Sequence, residues 1–513
     1  MIAKVLMLLV FFCVMLGVGL YARRHATNVD DFVLGGRSVG PWLTAFAYGT
    51  SYFSAVVFVG YAGQFGYKYG LSAVWIGIGN ALIGSLLAWV VLGRRTRIMS
   101  KHLRAKTMPD YFGKRFDSNA LKIAASLISF VFLIPYTASV YNGLSRLFEM
   151  AFDIPYAVCV AVMAALTCVY VIMGGYMATA INDFIQGIVM LFGIVAVIAA
   201  VLNGQGGFME AVFRLSEIPS DIAVTKGQQG AFASFFGPDP LNLLGVVILT
   251  SLGTWGLPQM VHKFYAIRDE KAVKTGTIIS TVFAVIISGG CYFLGGFGRL
   301  FDTEAIRNAQ GGVIYDAIIP VMLNTLPDIL IGIVIVLVLS ASMSTLSSLV
   351  LTSSSTLTLD FIKGNIVKKM DDKKQLLWMR VFLIVFVAVS VVLALDPPAF
   401  IAQLMGISWG ALAGAFLAPF LYGLYWRGVT KAAVWASFAC GIGITVSNMF
   451  FKFIESPINA GAAAMIAGLI VVPAVSLISP KMKKEKTDEL FICYEELVTV
   501  EQKLVLTDEE NEE

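Results

Sequence analysis

Between residues 340 and 348 the chain reads Ser-Ala-Ser-Met-Ser-Thr-Leu-Ser-Ser. It follows the apolar run Ile329 to Leu339 and precedes a second hydroxyl cluster, Thr352 to Thr356. Read as a helix, Ser344, Thr345, Ser347 and Ser348 fall at i, i+1, i+3 and i+4, on one face. Hydroxyl oxygens are hard ligands that suit alkali cations and serve soft metals poorly. Small hydroxyl residues also let two membrane helices approach closely, so the face either coordinates or packs. Asp183 is the acidic residue well inside an apolar run, in Met177-Ala-Thr-Ala-Ile-Asn-Asp-Phe-Ile-Gln186. A carboxylate there is costly unless paired, hydrated or neutral. With no Lys or Arg read at comparable depth, a passing cation is its natural partner. The other reading is a hydrated carboxylate that locks helices at the inner mouth. A proton relay would call for more deep carboxylates or histidines, and the whole chain has 3 histidines.

The elements that must position these groups are membrane helices. Of 513 residues 58% are hydrophobic and 14% charged, against ~25% charged in soluble proteins. Apolar runs of ~20 residues mark spans. Thirteen are read, at about 3–22, 43–67, 71–93, 120–147, 153–173, 177–202, 241–263, 273–297, 314–360 with its ends outside the membrane core, 377–395, 399–425, 430–452 and 460–479. The first run, Val5 to Tyr21, lacks a basic start and a small-residue cleavage site and reads as a mature helix. The 6 cysteines are scattered without a C-x-x-C pair and read as small membrane hydrophobes. So few histidines argue against a histidine metal site or a Ser-His-Asp triad, and a net charge of +4 gives no sign of nucleic-acid binding. No enzyme is expected.

Two spans are interrupted. Gly49-Thr-Ser-Tyr-Phe-Ser54 breaks the second and Gly253-Thr-Trp-Gly-Leu-Pro258 the seventh, because Gly and Pro together disrupt the helical hydrogen-bond ladder. Broken helices at matching positions of two halves point to a transporter's midplane site. Five spans per half make the second copy inverted. The expected division is 1–42 (first span and loop), 43–202 (first repeat), 203–240 (extracellular loop), 241–425 (second repeat), 426–480 (two peripheral spans) and 481–513 (tail). Basic residues concentrate in alternate loops: Arg23, Arg24 and Arg37, Arg94 to Arg115, Lys263 to Lys274, Lys363 to Lys374, Arg427 and Lys431, and Lys481 to Lys486. This places the amino terminus outside and the carboxyl terminus in the cytoplasm. The tail, ending Asp-Glu-Glu-Asn-Glu-Glu, is expected to be solvated and partly helical.

Several stretches carry a family resemblance. They are Asp31-Phe-Val-Leu-Gly-Gly-Arg-Ser-Val-Gly-Pro-Trp42, Thr107-Met-Pro-Asp-Tyr-Phe112, Gly174-Gly-Tyr through Gln186, and Met343-Ser-Thr-Leu-Ser-Ser348 with the hydroxyl run ending at Asp360. On these the chain resembles the sodium/solute symporter family, solute carrier 5-like, across nearly its whole membrane region. The resemblance implies an all-α, five-plus-five inverted-repeat core of the leucine-transporter type with two broken helices, set in the plasma membrane. It implies a main Na⁺ site of the carbonyls of Thr50, Phe53 and Ala341 with the side chains of Ser344 and Thr345. For some members it implies a second Na⁺ site, here Asp183, Ser344, Thr345, Ser347 and Ser348. Pro258, the 107–112 segment and Ile134-Pro-Tyr-Thr-Ala-Ser look most like the sodium/proline branch. Tyr52, Thr250 and Thr254 depart from that branch's pattern. No arginine stands before Arg146 in the fourth span, where sialic-acid carriers of the family hold the substrate carboxylate.

The expected function is therefore Na⁺-coupled import of a small organic solute, an amino acid such as proline or a related carboxylate, whose carboxylate sits at a broken-helix amino terminus. Residues expected near the pocket are Thr50, Ser51, Tyr52, Ser54, Gln64, Tyr136, Thr254, Trp255 and Gln259; for Tyr136 and Trp255 helix packing is an equal reading. The alternatives are Na⁺-coupled uptake of a sugar, sialic acid or monocarboxylate, H⁺ coupling, or a membrane sensor built on a transporter core. The expected partners are substrate, Na⁺ and the bilayer, with the chain a monomer.

Overall fold

A bilayer offers the backbone no hydrogen-bond partners, so a chain this apolar must satisfy its amides within helices. The computed structural model describes residues 2–22, 28–363, 365–367 and 370–495. Among these the elements are helical, with isolated bridges in place of strands. Ten described helices are long and apolar enough to cross a membrane, and one bent pair makes an eleventh. Arg23, Arg24, Lys368, Lys369 and the acidic end of the tail, all used in the charge reading, lie outside the described residues.

Helix α1 (Ile2–Ala22) leads to the short α2 (Val29–Leu34), whose start is capped by Asn28 accepting from the Asp31 amide. Helix α3 (Pro41–Tyr52) opens on a proline, where a missing N–H costs nothing, and ends at Phe53, which is extended at φ −106, ψ 93. Winding resumes at Ala55, wider than α over Val56–Tyr61, and then as α4 (Ala62–Tyr69). The break thus falls at Phe53 and Ser54, the carboxyl end of the Gly49–Ser54 stretch. Gly70 turns the chain at φ 62, ψ −141. Helix α5 (Val74–Gly79) then runs through wide-wound Asn80–Leu87 and Trp89–Gly93 into α6 (Arg94–His102), and α7 (Met108–Arg115) follows with Thr107 as its cap.

Helix α8 (Asn119–Phe152) carries Pro135 inside it. Helix α9 (Tyr156–Gly204) is two helices end to end, parted at Gly175 with φ 55 and ψ −150. A side chain at Gly175 would be strained at that φ and would meet the Phe32 carbonyl at 2.8 Å, which accounts for the second glycine of the 174–186 motif. After α10 (Phe208–Glu217), α11 (Pro240–Gly256) and α12 (Pro258–Ala266) meet at Leu257 with a 46° bend. Then come α13 (Glu270–Gly295), α14 (Ile318–Asn324), α15 (Asp328–Thr356) with a wider last turn at Leu357–Ile362, α16 (Asp372–Leu395), α17 (Ile401–Tyr425), α18 (Lys431–Phe451) and α19 (Pro457–Ile478). The apolar stretch read as one run over 314–360 is interrupted between α14 and α15 at Thr325 to Pro327. Residues 484–495 form a final helix held by Arg427 against Asp488 and by Lys486 against Asp117.

Burial separates the spans by role. The most apolar window is 78% buried in α15 and 89% in α17, against 28% in α16 and 22% in α1. The first two are core and the last two face lipid, because a polar or small face must turn inward where hydrocarbon offers nothing to bond. Helix α15 packs on α9, α8, α1 and α3. The loop motifs tie this core together at one end. Arg37 donates to the carbonyls of Tyr265 (3.1 Å) and Ala105 (2.5 Å), latching the end of α12. Thr107 donates to Asp360 Oδ2 at 2.5 Å, joining the 107–112 motif to the end of the hydroxyl run.

Candidate cation and substrate site

Hydroxyls buried in a helix have two ways to be satisfied: bond back to a carbonyl one turn earlier, or reach a neighbour. Several in α15 take the first. Ser342 donates to Val338 O (2.7 Å), Ser347 to Ser344 O (2.8 Å) and Ser354 to Val350 O (2.8 Å). These hydroxyls are satisfied within their own helix, which suits close packing. Ser344 and Thr345 differ. Each bonds the Ala341 carbonyl, at 3.0 and 3.1 Å, and each also reaches across to α3. Ser344 Oγ lies 3.0 Å from Thr50 O, and Thr345 Oγ1 lies 3.3 Å from both Thr50 O and Ser51 O. Those carbonyls are free for the purpose because α3 ends two residues later, so nothing further along the chain claims them.

Of the five expected ligands of the main cation site, four are thus drawn within hydrogen-bond reach of one another: Thr50 O, Ala341 O, Ser344 and Thr345. The fifth, Phe53, lines a small cavity together with Ala341, Ser54 and Met190. All are neutral oxygens in a buried setting, the donor set for an alkali cation. No cluster of three His, Cys, Asp or Glu that could hold another metal occurs among the described residues.

The lower set is arranged differently from expectation. Asp183 is fully buried, but the expectation that no cation lies at its depth does not hold. Lys263 Nζ sits 3.8 Å from Asp183 Oδ2 and donates to Ser348 Oγ at 2.9 Å. Ser348 Oγ is in turn 2.8 Å from Ser51 Oγ. Lys263 was read as the first basic residue of a loop. It is buried because α12 continues to Ala266 and is bent into the core at Leu257. Ser347 does not join this group, its hydroxyl being turned back to Ser344 O.

The residues expected around the substrate divide into three places. Tyr52, Ser54, Tyr136, Thr254 and Trp255 lie near the break in α3. The Tyr52 hydroxyl donates to Thr250 O at 2.5 Å, Thr254 to Gly84 O at 3.1 Å and the Trp255 indole to Ile83 O at 3.0 Å. Gln64 lies further along α4 with its side-chain oxygen unpartnered among the described residues. Gln259 belongs with the lower set: it shares a tight pocket with Lys263, Ser348, Thr179 and Tyr176, and neither of its amide atoms is hydrogen-bonded among the described residues. Thr50 faces Ser344 and Thr345 through its carbonyl, and Ser51 joins the two sets, its carbonyl accepting from Thr345 and its hydroxyl contacting Ser348.

Trp409 on α17 escaped the sequence reading. It is fully buried, with its ring 6.1 Å from that of Tyr52 and 5.8 Å from that of Tyr136. A side chain at Gly253 would meet it at 2.5 Å. A tryptophan inside an apolar run carries no polar signal, so only the packing discloses it. Arg146 is half-exposed, bonded to Glu149 at 3.1 Å, and lines a wide cavity with Asn142, Asp316 and Gln403.

Comparison with known proteins places this geometry in context. The profile of the sodium:solute symporter family matches residues 32–441. The sodium/proline symporters of Staphylococcus aureus strains JH9 and USA300 are each 30% identical over 495 residues, covering 94% of this chain and 93% of theirs. A substrate-bound, outward-open Na⁺-coupled sialic acid symporter superposes with a TM-score of 0.74 at 17% identity, over 94% of this chain and 99% of that one. A nucleobase-cation-symport-1 family transporter in a closed conformation superposes with a TM-score of 0.53 at 14% identity, over 90% and 97%. At these identities the structures speak to the fold alone.

Proposed function

Because this chain belongs to the sodium:solute symporter family, and so to the Na⁺-coupled solute carriers, we propose that it imports an amino acid such as proline, or a related small carboxylate. The observation that carries the ion's role is the convergence of Ser344 and Thr345 on the Thr50 carbonyl at 3.0 and 3.3 Å. A Na⁺ held by the carbonyls of Thr50, Phe53 and Ala341 and by the side chains of Ser344 and Thr345 would tie α15 to the break in α3. Holding that break in one geometry pre-forms the surface offered to substrate by Ser51, Tyr52, Ser54, Tyr136, Thr254 and Trp255. The coupling must be reciprocal, with substrate raising Na⁺ affinity by the same factor. The amino-acid reading draws its support from the 30% identical sodium/proline symporters.

The same reading fills in the frame. Counting the breaks at Gly70 and Gly175 as span boundaries, the chain has thirteen spans, with 43–202 and 241–425 as the inverted repeats. It lies in the plasma membrane as a monomer, with its amino terminus outside and the 484–495 helix in the cytoplasm.

The deciding experiment is a thermal-shift screen of purified protein against L-proline, other amino acids, monocarboxylates and sugars, in NaCl and in choline chloride. Only a ligand of the native state stabilises it. An amino acid or small carboxylate is expected to raise the midpoint in Na⁺ alone. Stabilisation by a sugar alone would overturn the substrate class, and equal stabilisation in choline would overturn the coupling.

A further inference from the structure

The lower half of the hydroxyl face already holds a cation. Lys263 is 1% exposed and Asp183 is 0% exposed. Nζ donates to Ser348 Oγ at 2.9 Å and lies 3.8 Å from Asp183 Oδ2. The face of the Tyr176 ring stands 5.3 Å from Nζ, a placement that attracts a cation. The rest of the pocket is Thr179, Gln259, His262, Leu351 and Thr352, with no room for a water molecule. Asp183 is the carboxylate this group faces; none of the described residues lining the pocket adds a second. An ammonium or a carboxylate alone in such a place would be prohibitively desolvated, so each is held there by the other.

We propose that Lys263 is the resident cation of this lower site. Its ammonium takes the place that a second Na⁺ would have against Asp183 and Ser348, so that the chain binds a single Na⁺, at Ser344 and Thr345. The proposal rests on the Na⁺-coupled reading above. A second Na⁺ on the same two side chains would set two positive charges against one carboxylate in a water-excluded pocket, where like charges repel most strongly. The ammonium also reaches the upper site through hydroxyls. Ser348 contacts Ser51 at 2.8 Å, and the Ser51 carbonyl accepts from Thr345 at 3.3 Å. Helix α12, the second half of the bent span, is thereby fastened to the same two elements that hold the ion.

The test is equilibrium binding of ²²Na⁺ to the full-length protein in lipid nanodiscs, counted per chain. One ion is expected for the wild type and for Lys263→Arg. Two are expected for Lys263→Gln, which frees Asp183 to ligate. One is expected for Lys263→Gln with Asp183→Asn, which removes both charges, keeps the shape and leaves no buried charge to unfold the chain. Two ions in the wild type would overturn the proposal and leave Na⁺ coupling intact; none in the wild type would overturn Na⁺ coupling itself. One ion in Lys263→Gln would show that the ammonium was not filling a cation site. None in the double variant would show that Asp183 ligates the only ion, which also overturns the proposal.

Discussion

The Ser344 hydroxyl and the Thr50 carbonyl meet at 3.0 Å, joining the middle of a continuous helix to the frayed end of a broken one. Three positions on, Ser347 is as deeply buried but, among the described residues, bonds the Ser344 carbonyl of its own helix, at 2.8 Å. Two serines of one motif thus have different partners. Ser347→Ala is expected to leave the Na⁺ concentration for half-maximal stabilisation within about twofold of wild type. On the proposed site, Ser344→Ala removes a contact to a charged ligand, worth roughly 1.5–3 kcal/mol, and is expected to raise it about tenfold or more. Na⁺ titrations followed by thermal unfolding check both; equal effects would mean that the face only packs.

Helices α4 and α13 pack backbone to backbone, with no space for a side chain between them. A side chain at Gly66 would meet the Gly295 backbone at 2.1 Å, and one at Gly295 would meet the Ala62 carbonyl at 2.1 Å. Backbone cannot yield as a flexible side chain can, so Gly66→Ala should cost about 1–3 kcal/mol of stability. The midpoint of thermal unfolding measures this. Gly204→Ala, with nothing within 4 Å of the added carbon, is the control expected to stay within about 0.5 kcal/mol of wild type.

Asp316, in the segment before α14, accepts from the Ile401 amide at 3.2 Å, and burial pushes its carboxyl up from 3.8 to about 6 despite that bond and the nearby Arg146. A raised acid binds its proton more tightly in the folded state. Its contribution to stability is therefore full below the unfolded value and is lost as pH rises through the folded one. The shift, about two units, corresponds to roughly 3 kcal/mol. Wild type minus Asp316→Asn stability should fall between pH 4 and about 6.5 and be level above that. A flat difference across the range would show that Asp316 titrates normally.

Much of this arrangement was legible because its signals are local. Apolar runs of bilayer length marked the ten or eleven described helices that can cross a membrane, and Gly-rich or Pro-containing interruptions marked the breaks at Phe53–Ser54 and Leu257. The hydroxyl face of 344–348 was visible from spacing alone. The division of labour within it was not, since whether a serine bonds its own helix or the next depends on how close that next helix lies. Lys263 was hidden for a related reason. A basic residue near the end of an apolar run reads as a loop charge, and only the bend at Leu257 turns it toward Asp183. Trp409 gave no polar or charge signal at all; its place is set by α17 meeting Tyr52 and Tyr136, far away in the chain.

On the proposed function, Na⁺ binds between Ser344, Thr345 and the broken end of α3. The direct measurement is the unfolding midpoint of the purified protein across a NaCl series at constant ionic strength, balanced with choline chloride. The wild type should show a saturable rise with Na⁺, and Ser344→Ala with Thr345→Ala should shift that rise to much higher concentration. A midpoint that ignores Na⁺, or a double variant that titrates like the wild type, would contradict the assignment.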